Sequence, residues 1–434
     1  MWSATGEQGG AVMDRQQFQI GGEVVDADDE RLQVLLARAH DAPMRPRCLC
    51  VPAGVPMYVA HHRQWLVKRM PDTGDLHHPT CPSYEPAAST CGLGELLGEA
   101  VLPIDPGQVE LRTGFAWTLA AGRAPVVGET RDTPEVRRSR RRLSLRGLLH
   151  FLFDRAGFNR WRPAMAGKRH QGVVQWHLMA AAEGVQVRGA PLSGRLYMPE
   201  PFSEARKPAL VAHRRAVFRA LMPRENETPL MVVIGEFKTC ETTATGRWVW
   251  IRHMPDTPLR VEPATWSRIE RAFAPLFEAH DADGQHDLKL VLAALVRARR
   301  ESVLEVEAAS MMLTTRDWIP LDGVHELPLL QALVAQRRRF LKPLRYEARS
   351  AAGFANALLL DAGPAPVPLH VLSPFMAPAE RLAKERVVQT DAGCWVWDTA
   401  QAMPDLPPVV PLVLAEPLQH RVASASSHAA SGSA

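Results

Sequence analysis

The sequence predicts an α+β fold made of three successive regions. Residues 17–125 carry short segments of alternating apolar residues, which indicate strands in a small β-rich module. Residues 126–190 are basic and contain two amphipathic helical patterns, whereas residues 191–420 mix strand and helix patterns in one α+β domain. We expect residues 1–16 and the tail 421–434, which lack hydrophobic periodicity, to be disordered.

The composition indicates an ordinary globular protein. The chain has 434 residues, of which 46% are hydrophobic and 23% are charged. Because it contains no apolar run long enough to span a bilayer, we expect a cytoplasmic protein that makes no membrane contact. Cytoplasmic thiols stay reduced, so clustered cysteines indicate a metal or a catalytic site and not disulfides.

The elements of the first region follow from periodicity and turn residues. We predict a strand over residues 18–25 and a short helix over residues 31–39. Residues 56–60 and 65–68 alternate in polarity on either side of a short polar segment, which predicts a hairpin. Alternating apolar residues predict one further strand over residues 109–119.

Two cysteines precede the predicted hairpin, and a histidine and a third cysteine follow it. Cys48 and Cys50 form a Cys-x-Cys pair, and three residues separate His77 from Cys81. Thiolates and neutral imidazole are the usual ligands of zinc, and a structural zinc site closes with four of them. The spacing therefore predicts a structural zinc site in this part of the chain.

Alternatives stay open at this stage. His78 can replace His77, because a His-x2-Cys pair can hold zinc as well as a His-x3-Cys pair. The same residues could instead be small buried thiols and surface histidines, since the chain has sixteen histidines. Further candidate ligands lie nearby: His61, His62 and Cys91.

The second region carries a strong positive charge. Residues 131–170 contain twelve Arg or Lys and three acidic residues, a local net charge of +9 against +4 for the whole chain. Together with the predicted helices 143–153 and 172–183, this charge is typical of a protein that binds the phosphate backbone of DNA or RNA. Trp161 and Trp176 could stack on bases, although tryptophans beside helices are more often core residues. The candidate nucleic-acid ligands are Arg137, Arg138, Arg140, Arg141, Arg142, Lys168 and Arg169.

The alternative to nucleic-acid binding is a solvated linker. Runs of like charge usually stay exposed, and these arginines could pair with the acidic remainder of the chain. The sequence contains no zinc finger of Cys2His2 spacing and no RNP-type aromatic pair, so sequence-specific recognition has no support.

An apolar strand predicted over residues 230–238 contains Glu236-x-Lys238. Metal-dependent nucleases of the PD-(D/E)xK type place a magnesium-binding carboxylate and a water-orienting lysine in this way. Glu200 is the nearest upstream candidate for a second carboxylate that would hold Mg²⁺. The alternative is an ion pair at a strand end, and Asp287-x-Lys289 shows that the short motif also occurs elsewhere in the chain.

The other elements of the third region are predicted from periodicity and breaker residues. Residues 325–340 form a predicted helix, with Asp322 as its upstream cap and residues 337–339, three arginines, near its negative end. We predict two further helices over residues 207–222 and 266–279, and residues 290–296 fit a strand or a helix. Strands are expected at 196–202, 246–252, 303–313, 355–360, 367–372 and 394–397, of which 246–252 pairs with 230–238 and 355–360 with 367–372.

Several motifs resemble one bacterial family, the domain of unknown function 1173. They are Cys48-x-Cys50, Lys68-Arg69-Met70-Pro71, His77-x3-Cys81-x-Ser83-Tyr84-Glu85-Pro86, Gly167-Lys168-Arg169, Pro199-Glu200-Pro201-Phe202, Gly235-Glu236-x-Lys238 and Arg339-Phe340-x-Lys342-Pro343-Leu344-Arg345-Tyr346. The resemblance extends from about residue 48 to residue 397. It implies a gene carried on plasmids and integrative conjugative elements, and it implies no activity.

These observations lead to three hypotheses. The first is an accessory protein of a mobile genetic element, with a structural zinc site and non-specific affinity for nucleic acid. The second is a Mg²⁺-dependent nuclease that uses Glu236 and Lys238, and the third is a protein-binding scaffold, so whether the chain is an enzyme stays open. The sequence contains no Walker loop, no dinucleotide-binding glycine motif and no Gly-x-Ser-x-Gly elbow, which leaves nucleotide hydrolysis, hydride transfer and serine hydrolysis without motif support.

Overall fold

A computed structural model describes most of the chain between residues 16 and 410. The predicted disordered ends, apart from Gln16, lie outside the described residues. The described chain divides into two compact units, residues 16–85 and residues 86–410, and both helices and strands are present, which confirms the α+β prediction. None of the described helices combines the length and the apolar character that crossing a bilayer requires. The described residues are 16–61, 64–105, 107–120, 141–225, 227–244, 246–284, 287–300, 303–349 and 351–410.

The first unit is one antiparallel sheet with a helix. The sheet order is β2-β1-β3-β4-β5, and the predicted hairpin and helix are both confirmed. The single strand predicted over residues 18–25 is wrong: the chain reverses at Gly21 and Gly22 and makes a hairpin. Their φ angles of +58° and +94° lie in the left-handed region, which favours glycine. The elements are β1 (Gln17–Ile20), β2 (Glu23–Asp26), α1 (Leu32–Asp41), β3 (Arg47–Cys48), β4 (Val55–His61) and β5 (Trp65–Arg69).

The second unit holds the remaining elements. Its helices are α2 (Leu145–Arg155), α3 (Gln171–Ala182), α4 (Lys207–Arg219), α5 (Pro263–Asp281), α6 (Leu327–Ala335) and α7 (Pro378–Thr390). Its strands are β6 (Val101–Asp105), β7 (Gln108–Leu111), β8 (Thr118–Ala120), β9 (Arg160–Trp161), β10 (Val185–Val187), β11 (Ala190–Pro191), β12 (Leu196–Tyr197), β13 (Glu227–Pro229), β14 (Met231–Thr243), β15 (Gly246–Ile251), β16 (Leu259–Val261), β17 (Leu288–Arg300), β18 (Val303–Thr315), β19 (Pro320–Leu321), β20 (Phe340–Leu341), β21 (Ala357–Leu359), β22 (Val367–Leu372) and β23 (Trp395–Asp398).

Five strands of this unit close into a barrel in the order β14-β15-β16-β18-β17, with β17 pairing back to β14. Successive side chains of a strand point to opposite faces. Leu290, Leu292 and Ala294 of β17 therefore belong to the core that includes α5 and α6, whereas Val291 and Ala293 belong to the core that includes α2 and α3. Residues 231–237 of β14 and residues 290–296 of β17 are buried on both faces, which explains their nearly continuous apolar sequences.

The second unit also contains three smaller sheets among its described residues. One has the order β11-β10-β7-β6, one is the β8–β13 pair, and one has the order β23-β22-β21-β20-β9. The predicted β21–β22 hairpin is confirmed, and β22 and β23 are parallel neighbours joined by α7. The predicted helices α2 and α3 are also confirmed, and they share a unit with the barrel.

Three sequence predictions in this unit are wrong. Residues 109–119 are not one strand, because β7 ends at Leu111 and β8 begins only at Thr118. The helix predicted over residues 325–340 ends at Ala335: the backbone reverses at Arg337, where φ is +57°, and the chain continues into β20. Asp322 does not cap that helix, since its carboxylate pairs with Lys342 and Arg345. The helix α7 was not predicted at all, because its sequence offers few apolar residues to mark a buried face.

Candidate metal centre

The structure brings Cys48, Cys50, His77 and Cys81 together in the first unit. One ligand atom from each residue lies within 4.8 Å of all the others. The Sγ atoms of Cys48 and Cys81 are 3.7 Å apart, and Nδ1 of His77 is 3.3 Å from Sγ of Cys50 and 3.7 Å from Sγ of Cys81. Cys48, Cys81 and His77 are buried, so the four donors share a space that is nearly closed to solvent.

Local structure explains how two short segments meet there. Cys48 ends β3, and the turn after it returns to β4 through Gly54, whose φ of +64° a side chain would strain. His77 follows a short 3-10 helix that comes after β5. The amide of Cys81 then donates to the carbonyl of His78, and this tight turn holds Cys81 beside His77. The hairpin β4–β5 therefore lies between the two pairs of candidate ligands.

Hydrogen-bond donors surround the sulfur atoms. The amide N–H of His78 donates to Sγ of Cys50 and that of Ser83 donates to Sγ of Cys81, both at 3.4 Å. The side-chain amide of Gln16 donates to Sγ of Cys48 at 3.3 Å. Such donors stabilise thiolates, because a hydrogen bond to the charged form of an acid favours that form.

The three cysteine thiols change one another's pKa values. Hydrogen bonds with Cys50 and Cys81 lower the pKa of Cys48. The interaction with Cys48 raises the pKa of Cys50 to about 11, and it also raises the pKa of Cys81. Three thiolates this close repel one another, so full ionisation requires a cation between them.

The donor set fits a zinc ion. Tetrahedral zinc has Zn–S bonds of about 2.3 Å, which places two sulfur ligands about 3.8 Å apart. The separation of 3.7 Å between Cys48 and Cys81 agrees with this value. A Zn–N bond of about 2.0–2.1 Å places sulfur and nitrogen ligands about 3.5–3.6 Å apart, and the two separations that involve His77, 3.3 Å and 3.7 Å, lie on either side of this distance. Four protein donors that are mostly buried match a closed site, which is typical of structural zinc.

The open alternatives for the histidine can now be separated by geometry. His77 faces the thiols through Nδ1, whereas Nδ1 of His78 lies 2.8 Å from the hydroxyl of Thr80. The ring of His61 packs on Trp65 at 4.3 Å between centroids. Cys91 belongs to the second unit, and His62 lies outside the described residues.

The predicted nucleic-acid ligands do not form one exposed cluster within the described chain. Arg137, Arg138 and Arg140 lie outside the described residues. Arg141 pairs with Glu95, while Arg142 and Lys168 are exposed. Of the two tryptophans, Trp161 is 1% exposed and belongs to a core, but Trp176 on α3 is 63% exposed.

Arg169 is part of the packing of the second unit. Its guanidinium donates to the carbonyl oxygens of Phe158, Gly157 and Arg160, and its charged end lies 5.0 Å from the centre of the Phe158 ring and 5.2 Å from that of Trp161. Burial lowers the pKa of Arg169 to about 10, and Asp317 partly opposes this effect. The side chain therefore holds the segment between α2 and α3 in place.

The residues of the predicted nuclease site have separate partners. Glu236 is buried and pairs with Nε of Arg252 at 2.6 Å and with Nζ of Lys289 at 3.2 Å. Glu200 accepts from the hydroxyl of Tyr197 at 2.9 Å and lies 3.2 Å from His213. Lys238 is exposed. These contacts account for Glu236 as a neutralised buried carboxylate, and the nuclease interpretation stays a prediction.

Sequence reasoning missed a buried polar network in the second unit. Nζ of Lys342, which is 1% exposed, pairs with Asp322 and with Glu326. Asn356 donates to Glu326, and Arg345 pairs with Asp322 at 3.0 Å. Lys342 and Arg345 lie in one of the motifs that resemble the family. Two basic residues within an otherwise apolar run, residues 340–346, were the sequence signal that could have indicated buried charges.

Most of the chain matches one known protein family. Residues 18–400 match a family described as "Protein of unknown function (DUF1173)". No curated protein and no solved structure matches the chain. Because the match covers most of the sequence, the chain belongs to the DUF1173 family.

Proposed function

We propose that the first unit is a structural zinc module with Cys48, Cys50, His77 and Cys81 as its ligands. The observation that carries this proposal is the convergence of these four donors within 4.8 Å in a buried space. The module resembles a zinc ribbon in one respect, since two ligand pairs from separate loops flank a β-hairpin. Bound zinc would neutralise the thiolates and join the two loops.

The size of the unit supports a structural role for the ion. The described part of this unit, residues 16–85, has about 70 residues, which is near the lower limit at which a hydrophobic core alone stabilises a fold. Zinc binding to an unfolded chain supplies folding free energy directly, because the ligand set exists only in the folded state. With four protein ligands the metal has no open position, so the site supports stability and not hydrolysis.

The test measures zinc content and the stability of the first unit in the full-length protein. We expect Cys81→Ser to hold one zinc ion per chain fewer than wild-type protein, because it loses the ion of the first unit, and to become sensitive to proteolysis within residues 16–85. Cys240→Ser is the matched control, because Cys240 lies on β14 in the second unit. Cys48→Ser and Cys81→Ser that both hold as many zinc ions per chain as wild-type protein would contradict the assignment.

A second function is supported by charge and by one exposed aromatic residue. We propose that the protein binds the phosphate backbone of DNA or RNA without sequence preference, as an accessory protein of a plasmid or conjugative element in the cytoplasm. The described part of the basic region contributes exposed Arg142 and Lys168, and Trp176 offers an exposed ring for stacking on an unpaired base. The mobile-element setting comes from the sequence resemblance.

The binding test uses single- and double-stranded DNA and RNA over a series of salt concentrations. Backbone binding weakens with salt, with a logarithmic slope of roughly −0.9 per neutralised phosphate for duplex DNA and −0.7 for single strands. Trp176→Ala should weaken binding to single strands, whereas Trp176→Phe keeps a stacking ring and should restore it. Absence of binding at low salt would favour the scaffold hypothesis.

A further inference from the structure

We propose that His370, Asp391 and Cys394 form a second metal site, in the second unit, that takes a divalent transition ion such as Zn²⁺. One potential ligand atom from each of these residues lies within 4.8 Å of the others. The site is independent of the zinc site in the first unit, because it shares no residue and no element with it.

The fold explains why these three residues meet. The strand β22 contains His370 and pairs in parallel with β23, with His370 opposite Val396. Leu369 and Val371 point into the core that includes α5, so His370 points to the other face of the sheet. Asp391 directly follows α7, and Cys394 comes directly before β23, so both lie in the short connection that returns from α7 to the sheet.

His370 supplies a second, independent indication of a ligand. The side chain is only 2% exposed, and its Nδ1 is buried with no hydrogen-bond partner among the described residues. A buried imidazole nitrogen normally has a partner, because leaving a polar atom unpaired in the interior costs free energy. A metal ion held with Asp391 and Cys394 would supply the partner that the imidazole lacks.

The other two residues have the contacts expected of positioned ligands. Oδ1 of Asp391 accepts from the amide of Gly393 at 3.1 Å, which fixes the carboxylate at the start of the loop. The Cys394 thiol is 3.9 Å from the carbonyl of Val388, which is a weak contact that a metal ion can replace. Both side chains are partly exposed, so an ion can enter from solvent.

The chemistry of the donors selects the ion. A thiolate, a carboxylate and a neutral imidazole carry two negative charges, which balance a divalent cation. Sulfur and nitrogen donors favour zinc and its neighbours over Mg²⁺ and Ca²⁺, which prefer oxygen ligands. Three protein ligands leave a fourth position of tetrahedral zinc for water or for a ligand from solution, in contrast to the closed site of the first unit.

The experiment counts metal ions in full-length protein that has been equilibrated with Zn²⁺ and freed of loosely held ions by gel filtration. We expect two zinc ions per wild-type chain and one in Cys394→Ser, with the remaining ion insensitive to this substitution. Asp391→Asn is the second variant, because the amide oxygen still accepts from Gly393 while the charge is lost. Cys240→Ser is the control and should retain both ions.

Cobalt provides a readout of the ligands themselves. Co²⁺ bound to thiolate gives a charge-transfer absorption, so a Co²⁺ titration of wild-type protein should show two thiolate-bound ions, and one of them should disappear in Cys394→Ser. The first-unit ion should instead disappear in Cys81→Ser, which separates the two sites. The inference is overturned when properly folded Cys394→Ser and Asp391→Asn, checked by circular dichroism, bind as much Zn²⁺ as wild-type protein.

Discussion

Single substitutions of Arg169 and of its neighbour Lys168 test separately whether a basic side chain packs within the second unit or binds nucleic acid. Both residues belong to the basic run, but Lys168 is exposed, whereas Arg169 donates to backbone carbonyls and lies against Phe158 and Trp161. Arg169→Ala leaves several carbonyl oxygens without their donor and removes the packing of the side-chain stem. We therefore expect Arg169→Ala to destabilise the second unit and Lys168→Ala to leave its stability nearly unchanged.

The magnitude follows from the contacts. Hydrogen bonds from a charged donor contribute about 1.5–3 kcal/mol each, and they are not additive when one group makes several. The carbonyls of Gly157 and Arg160 are on partly exposed residues and can recover water, which leaves the carbonyl of buried Phe158 as the main loss. We expect Arg169→Ala to reduce the free energy of unfolding by about 3 kcal/mol and Lys168→Ala by less than about 0.5 kcal/mol.

The assay combines urea unfolding, followed by tryptophan fluorescence, with DNA binding over a salt series. Lys168→Ala should reduce the salt slope by roughly one phosphate contact. Arg169→Lys is a further control: it keeps the charge but cannot donate to several carbonyls at once, so it should be destabilised nearly as much as Arg169→Ala. Equal stability of Arg169→Ala and Lys168→Ala would refute the packing argument.

Three further predictions concern the buried charges of the second unit. Lys342→Met should lower the free energy of unfolding in urea by about 3–5 kcal/mol, because it leaves Glu326 without its cation. Lys207→Met is the control: it breaks an exposed pair with Glu204 and should lower the free energy of unfolding by less than about 1 kcal/mol. Equal losses in the two variants would contradict the burial of the network. Burial lowers the pKa of His150 to about 3, so protonation favours the unfolded chain, and stability should fall as the pH drops from about 6.5 towards 3, by up to about 1.4 kcal/mol per pH unit. His150→Gln, whose side-chain oxygen can still accept from the amide of Tyr346, should flatten that acid limb, and an unchanged limb would exclude His150 as its cause. Glu236→Gln should lower the free energy of unfolding, because Arg252 and Lys289 lose the carboxylate with which they pair. It should leave any Mg²⁺-dependent cleavage of DNA unchanged. Cleavage that is present in folded wild-type protein and absent in the folded variant would support the nuclease interpretation instead.

Local sequence patterns predicted most of the helices and strands. They failed where contacts between residues far apart in the sequence determine the end of an element or the pairing of strands. The β14–β15 pairing and the helices α2, α3 and α5 follow from periodicity and turn residues. The end of α6 does not follow from such local patterns. Arg338, just beyond the helix, forms a buried pair with Asp361, and the two residues are 23 positions apart in the sequence. The closure of the barrel also cannot be predicted from local patterns, since the β16–β18 and β14–β17 pairings join strands that are far apart in the sequence.

The two candidate metal sites differ in how far the sequence alone indicates them. Cys48, Cys50, His77 and Cys81 lie within one short stretch that contains one hairpin, so spacing alone indicates the set. The spacing could not choose between His77 and His78, because that choice depends on the turn that directs His78 to Thr80. His370 is separated from Asp391 and Cys394 by α7, which the sequence did not reveal, and no short motif joins the three residues.

We expect the stability of the two units to depend on metal to different degrees. The first unit has few large buried apolar side chains, among them Phe18, Leu36 and Met57, whereas the second has two extensive cores on opposite faces of its barrel strands. A chelator should therefore unfold the first unit and leave the barrel intact. Because these two cores stabilise the second unit, we expect loss of an ion at His370 to leave the unfolding transition of the barrel in place. Chelation that abolished both transitions together would show that the second unit also depends on metal for its fold.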